Sequence, residues 1–185
     1  SNSSKIANIY ANCMNEMGLE NQIVELEKLP NDVAYSQLGT QTEDYTDFIL
    51  KTIANIDKII IVIPEYNGGF PGVLKSFFDT VPPKYVNGMR CALVGVSSGH
   101  AGAARALDSF SDILHYLKAE VYSNKPKFSG IDGLLDDNGL LFSTGSFENT
   151  SSPAPNINPS FKALSRSYSL IIPPLAVLTK MEFFF

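Results

Sequence analysis

VIPEYNGGFPGVLKSFFDTV, Val62 to Val81, carries an apolar run through an acid, a tyrosine, an asparagine and two glycines, and then restarts an apolar pattern after a proline. The run that leads into it, Lys58 to Ile63, is continuous and β-branched. Such a run fits a strand covered on both faces, as in a parallel sheet. Pro71 to Thr80 reads as a helix, with Pro71 in the first turn, where a missing N–H costs little. Gly68 and Gly69 allow unusual dihedrals and a close approach of backbone to a ligand.

The same alternation extends outward. Ser1–Ser4 cap a helix running to about Met17, with Ile6, Ile9, Tyr10, Cys13 and Met17 near helical spacing and Gly18 as its stop. Ile23, Val24 and Leu26 suggest a short strand, and Asp44 to Ala54 a helix. Cys91 to Val96 is a second buried strand, followed by the loop Ser97–Gly102 and a helix from Ala103 to Leu117. Glu120 to Asn124 suggests a last strand. Strands alternating with helices imply an α/β fold with a mostly parallel sheet. Ligands of such sheets bind beyond the carboxyl ends of the strands. Three segments meet that rule: the serine-rich start, PEYNGG and SSGHAG.

Composition narrows the partners. The chain has 185 residues, enough for one domain with a sizeable core. Its net charge of -5 and pI near 5.0 argue against nucleic acid as the main partner. No signal peptide is visible, and no apolar run reaches the roughly 18 residues that cross a bilayer. Cys13 and Cys91 form no metal or redox motif, so a reduced, cytoplasmic setting is the default.

Each loop also has a plainer explanation. Glycine and proline are routine punctuation between strand and helix. Serines before a helix serve as ordinary caps. They can also, with free backbone N–H groups, cradle a phosphate without any lysine. Tyr66 beside Asn67 favours a ligand, because an aromatic face flanked by amide donors suits a planar, polar-edged molecule.

PEYNGGFPGVLKSFFD resembles the signature of the NADPH-dependent FMN reductase family. VGVSSGHAGAARAL is similar to that family's second flavin loop, and SNSSKIA to the end of its phosphate loop. The resemblance covers residues 1–142 and leaves 143–185 as an atypical Ser/Asn/Pro-rich C-terminal segment. It implies a flavodoxin-like three-layer sandwich whose parallel sheet has the order 2-1-3-4-5. It implies that Ser1 and Ser3 bind the phosphate of FMN. Pro64, Glu65, Tyr66, Asn67 and Gly68 would line the isoalloxazine ring, largely through backbone groups. Ser97, Ser98, Gly99 and Gly102 would close its other polar edge. NADPH or NADH would pass hydride to flavin N5, and the flavin would then reduce a small acceptor such as a quinone, azo compound, metal oxyanion or free flavin. No side chain is nominated as an acid–base catalyst, since the flavin carries the chemistry. The family also implies a homodimer or homotetramer.

In that family a strand and a Gly-Ser/Thr-x-Arg run precede the equivalent of Ser1. The central first strand is therefore expected ahead of Ser1. LIIPPLAVLT, residues 170–179, is a poor substitute, because Pro173 and Pro174 remove ladder donors. Two other readings stay open: a flavodoxin-like electron carrier or regulatory flavoprotein without NAD(P)H turnover, and a chain that no longer binds FMN. His100 sits in the second loop, where a ligand contact and a solvated position are equally open, and His115 reads as structural. Lys75 and Asp79, four apart on one helix, read as a solvated pair, and Asp136–Gly139 as a turn.

Overall fold

Ser1 opens the first helix as its cap, its hydroxyl accepting from the Ser4 amide at 3.4 Å. That helix, α1, spans Asn2–Glu16 and ends before Gly18, whose φ of 72° only glycine adopts easily. The computed structural model describes residues 1–30 and 42–135, and 178–182 as backbone. Along the chain follow β1 (Asn21–Glu25), a 3₁₀ turn (Leu26–Lys28), α2 (Glu43–Thr52), β2 (Lys58–Pro64), α3 (Gly72–Thr80) and the short α4 (Pro83–Val86). Then come β3 (Arg90–Ser97), α5 (Ala104–Tyr116), β4 (Glu120–Val121), β5 (Lys127–Ser129), a 3₁₀ turn (Ile131–Gly133) and β6 (Leu178–Glu182).

All the strand pairings are parallel, in the order β1-β6-β2-β3-β4, with β5 also pairing with β3. The expected α/β class and parallel sheet are therefore present. The position between β1 and β2, which the sequence reading leaves to a strand ahead of Ser1, is taken by Leu178–Glu182. This corrects the dismissal of the C-terminal stretch as a source for that strand. The ladder begins at Leu178 and Thr179 and continues into Lys180, so Pro173 and Pro174 lie outside it and remove no donor from it. Those prolines, Asp136–Gly139 and the 142/143 boundary fall outside the described residues.

Period-two alternation in β2 and β3 separates two cores. Ile59, Ile61, Ile63, Cys91 and Leu93 pack with Leu74, Phe77, Phe78, Leu107, Phe110 and Leu114 of α3 and α5, and with Tyr45 and Ile49 of α2. Ile60, Val62, Val94 and Val96 pack on the other side with Ile6, Ala7, Tyr10, Cys13 and Met14 of α1. A sheet buried on both faces explains why β2 is apolar at consecutive positions. Cys13 and Cys91 lie in opposite cores, so the sheet separates the two thiols. Lys75 and Asp79 pair within α3 at 2.5 Å, each about half exposed, and contribute little to stability.

Phe110 is the centre of the aromatic packing. Its ring meets Phe70 and Phe78 edge to face, with centroids 5.1 and 5.3 Å away. Phe110→Ala should cost about 3–5 kcal/mol, seen as a lower urea midpoint at unchanged slope. Burial pushes the Cys91 thiol up to about 12 from its ordinary 9.0. A raised folded-state pKa means that the preference for the neutral thiol is fully present below 9.0 and is lost as pH climbs toward about 12. Cys91 should accordingly resist a thiol reagent at about pH 8 in the native protein and react once urea unfolds it.

Candidate functional site

Where β2 ends, the chain makes a tight hairpin. The Tyr66 amide donates to the Gly69 carbonyl at 2.8 Å, and the Gly69 amide returns a bond to the Tyr66 carbonyl at 2.9 Å. Asn67 and Gly68 between them have φ of 48° and 80°. Positive φ at both central residues is the requirement of a type I′ turn, and Asn-Gly is the dipeptide that meets it at least cost. The Glu65 amide is engaged too, donating to Val96 O at 3.1 Å across the end of the β2–β3 pair. The N–H groups of Asn67 and Gly68, at the turn's tip, have no partner among the described residues.

The second loop is set by close packing. Gly95 lies on the α5 side of β3, where a Cβ would fall 2.2 Å from Gly102 O and 2.9 Å from Leu107 Cδ1. Gly102 is itself left-handed, and a Cβ there would fall 2.6 Å from Lys127 Cβ. Ser97 Oγ donates to Gly99 O at 2.8 Å, and the Gly130 amide donates to the same oxygen at 3.1 Å. The hydroxyl proton of Ser97 is thereby engaged, which leaves its lone pairs as acceptors.

The N-terminus of α1 completes the enclosure. Between α1 and the two loops lies a cavity of about 280 Å³ walled by Ser1, Asn2, Ser3, Pro64, Glu65, Tyr66, Val96, Ser97, Ser98 and Ile131. Seven residues expected from sequence meet there: Ser1, Ser3, Pro64, Glu65, Tyr66, Ser97 and Ser98. Asn67 and Gly68 stand at the hairpin tip beside the wall, and Gly99 and Gly102 act behind it, as anchors of the second loop. His100 and His115 are exposed and outside the wall.

Sequence reasoning missed Asn2, Val96 and Ile131. The first two are legible in hindsight, as a first-turn residue and the last buried position of CALVGV. Ile131 has no local signal, since its contact with the cavity comes from a distant part of the chain. Arg105 was also missed: its Nη1 stands 3.9 Å from where a Cβ on Gly68 would be.

Two features point to a ligand. Ser3 is 3% exposed, yet its hydroxyl has no hydrogen-bond partner among the described residues. Buried hydroxyls are ordinarily paired. Beside it, the amides of Asn2 and Ser3 precede the first intrahelical hydrogen bond, while that of Ser4 is capped by Ser1, so the positive end of the helix faces the cavity. At the other end, burial raises the Tyr66 hydroxyl above its ordinary pKa of 10.0. The arrangement suits a ligand with an anionic group at one end and a flat, polar-edged body at the other.

Comparison with known proteins bears on the ligand. The family model for NADPH-dependent FMN reductase matches residues 1–129. A quinone reductase of Escherichia coli K12 is 31% identical over 116 residues, which cover 58% of this chain and 61% of that protein. A 2-hydroxy-1,4-benzoquinone reductase of a Burkholderia species is 33% identical over 97 residues, 49% of this chain and 52% of that protein. An NADPH azoreductase of a Bacillus species is 33% identical over 94 residues, 50% and 51% of the two chains. The chain thus spans about half to three fifths of the length of these relatives. Among solved structures, FerB of Paracoccus denitrificans, a flavoenzyme NAD(P)H:(acceptor) oxidoreductase, superposes with a TM-score of 0.59 at 23% identity. That match covers 76% of this chain and 79% of FerB, and it shows the fold.

The packing of Gly95 supplies a direct test of the second loop. Gly95→Ala should destabilise the protein by about 1–3 kcal/mol through overpacking and displace Ser97–Gly102. Gly72→Ala, with nothing within 4 Å of the new Cβ, is the control and should leave the unfolding free energy from urea titration within about 0.5 kcal/mol of wild type.

Proposed function

Because the chain belongs to the NADPH-dependent FMN reductase family, we propose that it is an FMN-dependent NAD(P)H oxidoreductase acting on a small electron acceptor. The observation that carries this reading is the buried, unpartnered Ser3 hydroxyl at the helix end of a cavity whose other end is the Glu65–Tyr66 loop. The residues present fit the cofactor. Ser1, Ser3 and the first-turn amides of α1 would hold its phosphate. Pro64, Glu65 and Tyr66 would support the ring, with the free N–H groups of Asn67 and Gly68 at one polar edge and Ser97 and Ser98 at another.

When bound, FMN accepts two electrons from a nicotinamide nucleotide and passes them to a second substrate. The chain's own part is placement. The I′ turn fixes the two tip amides on a rigid two-residue loop. Ser97, its proton held by Gly99 O, presents only acceptors and so favours a ligand N–H. No acid or base in the wall is needed for this role, and Glu65 is its only charged side chain among the described residues.

The acceptor class follows the names of the relatives, quinones first and then azo compounds, with metal oxyanions and free flavin as further candidates from the family resemblance. A homodimer or homotetramer in the cytoplasm completes the reading. No helix among the described residues is long and apolar enough to cross a membrane.

Anaerobic addition of NADPH to the FMN-loaded protein should bleach the flavin absorbance near 450 nm, and a benzoquinone should restore it. Flavin that binds but stays oxidised under NADPH and NADH would favour the electron-carrier reading. Protein that fails to take up FMN would overturn both.

A further inference from the structure

Beside the α1 end of the cavity stands an acid that the proposed function does not use. Asn2, in the first turn of α1 and in the cavity wall, donates its side-chain amide to Asp132 Oδ1 at 2.7 Å. Asp132 follows Ile131, another wall residue, in the 3₁₀ turn after β5. The carboxylate is thus held one residue behind the wall, on the side where α1 presents its positive end. It draws on the same helix field that would attract a phosphate, and it engages an amide that could otherwise donate to one.

We propose that Asp132 is a specificity-determining residue that weakens binding of a phosphorylated flavin relative to its unphosphorylated form. The inference rests on the flavin reading of the site. A carboxylate repels a phosphate of the same sign over several ångströms, and exposure and salt soften that repulsion without abolishing it. Riboflavin has the same ring and side chain but no phosphate, so it does not register the charge. The tip amides, Tyr66 and Ser97 act on the ring and contribute alike to both ligands. Asp132 therefore affects the ratio of the two affinities and leaves ring recognition alone.

The test is equilibrium titration of the flavin-free full chain with FMN and with riboflavin, followed by flavin fluorescence, for wild type, Asp132→Asn and Asp132→Glu. Asp132→Asn removes the charge and keeps an oxygen that can accept from Asn2. It should tighten FMN about three- to tenfold and leave riboflavin within about twofold, the gain shrinking as salt is added. Asp132→Glu keeps the charge and should keep the wild-type ratio. A parallel shift of both flavins in Asp132→Asn, or weaker FMN binding, would overturn the proposal and make Asp132 a structural support of Asn2. If wild type bound neither flavin, the flavin reading itself would fall. Binding of both with a ratio insensitive to Asp132→Asn would sink this inference alone.

Discussion

Lys58 lies opposite Arg90 and Pro64 opposite Val96, with five further pairs between them. A parallel ladder has evenly spaced, slanted hydrogen bonds and no turn to fix its register, so side-chain packing on the two faces must do so. Here both faces are apolar, and a slip of one residue would exchange the two cores. Ile59, Ile61 and Ile63 would turn toward α1, and Ile60 and Val62 toward α3 and α5. That register is what makes the two strands end level. PEYNGG and SSGHAG therefore leave the sheet side by side, and the Glu65 amide can close onto Val96 O.

Levelling the loops is not enough to shape them. Each then meets a constraint that admits little but glycine or asparagine. At Asn67–Gly68 the constraint is φ, because a two-residue hairpin that matches strand twist needs two left-handed residues. At Gly95 it is volume, because the Gly102 carbonyl occupies the place of a side chain. The glycines that looked like punctuation in the sequence thus have different physical reasons. Of these three, only Gly68 stands beside the cavity. Gly95 and Gly102 let strand, loop and β5 come close enough for Ser97 and Ser98 to face it.

This division explains what was legible. Lys58–Pro64 and Arg90–Ser97 could be read because burial on both faces imposes a continuous apolar run, a signal confined to the strand itself. Seven wall residues could be read because they stand at strand ends or at a helix cap, positions with local chemistry. Asn67 and Gly68, expected beside a ligand, stand at the turn tip next to the wall, and Gly99 and Gly102 anchor the second loop. Composition cannot distinguish a glycine that makes room for a ligand from one that makes room for a carbonyl. Ile131 and Asp132 were invisible for another reason. They reach the α1 N-terminus from about 130 positions away, and no local pattern encodes such a meeting.

The least legible element is β6, and the site depends on its backbone. LTKME has neither the β-branched density of KIIIVI nor a clean alternation, so propensity gives little reason to place it at a sheet's centre. What places it there is demand. Among the described residues β1 and β2 make no ladder with each other, and each pairs with β6. Without an intervening strand, facing rows of backbone N–H and C=O groups would be left unpaired beneath α1. One strand on either side of β6 sets β1 and β2 roughly 9–10 Å apart. That is close to the width of a helix with its side chains, about 10–12 Å. α1 lies against β1, β6 and β2 together. A helix seated on three strands has its axis fixed, whereas one seated on two could pivot. The N-terminal turn of α1, with Ser1, Asn2 and Ser3, is held over the carboxyl end of β2 by that seat. The α1 end of the cavity, where the proposed phosphate would sit, is therefore positioned by backbone pairing in a strand far from it in sequence.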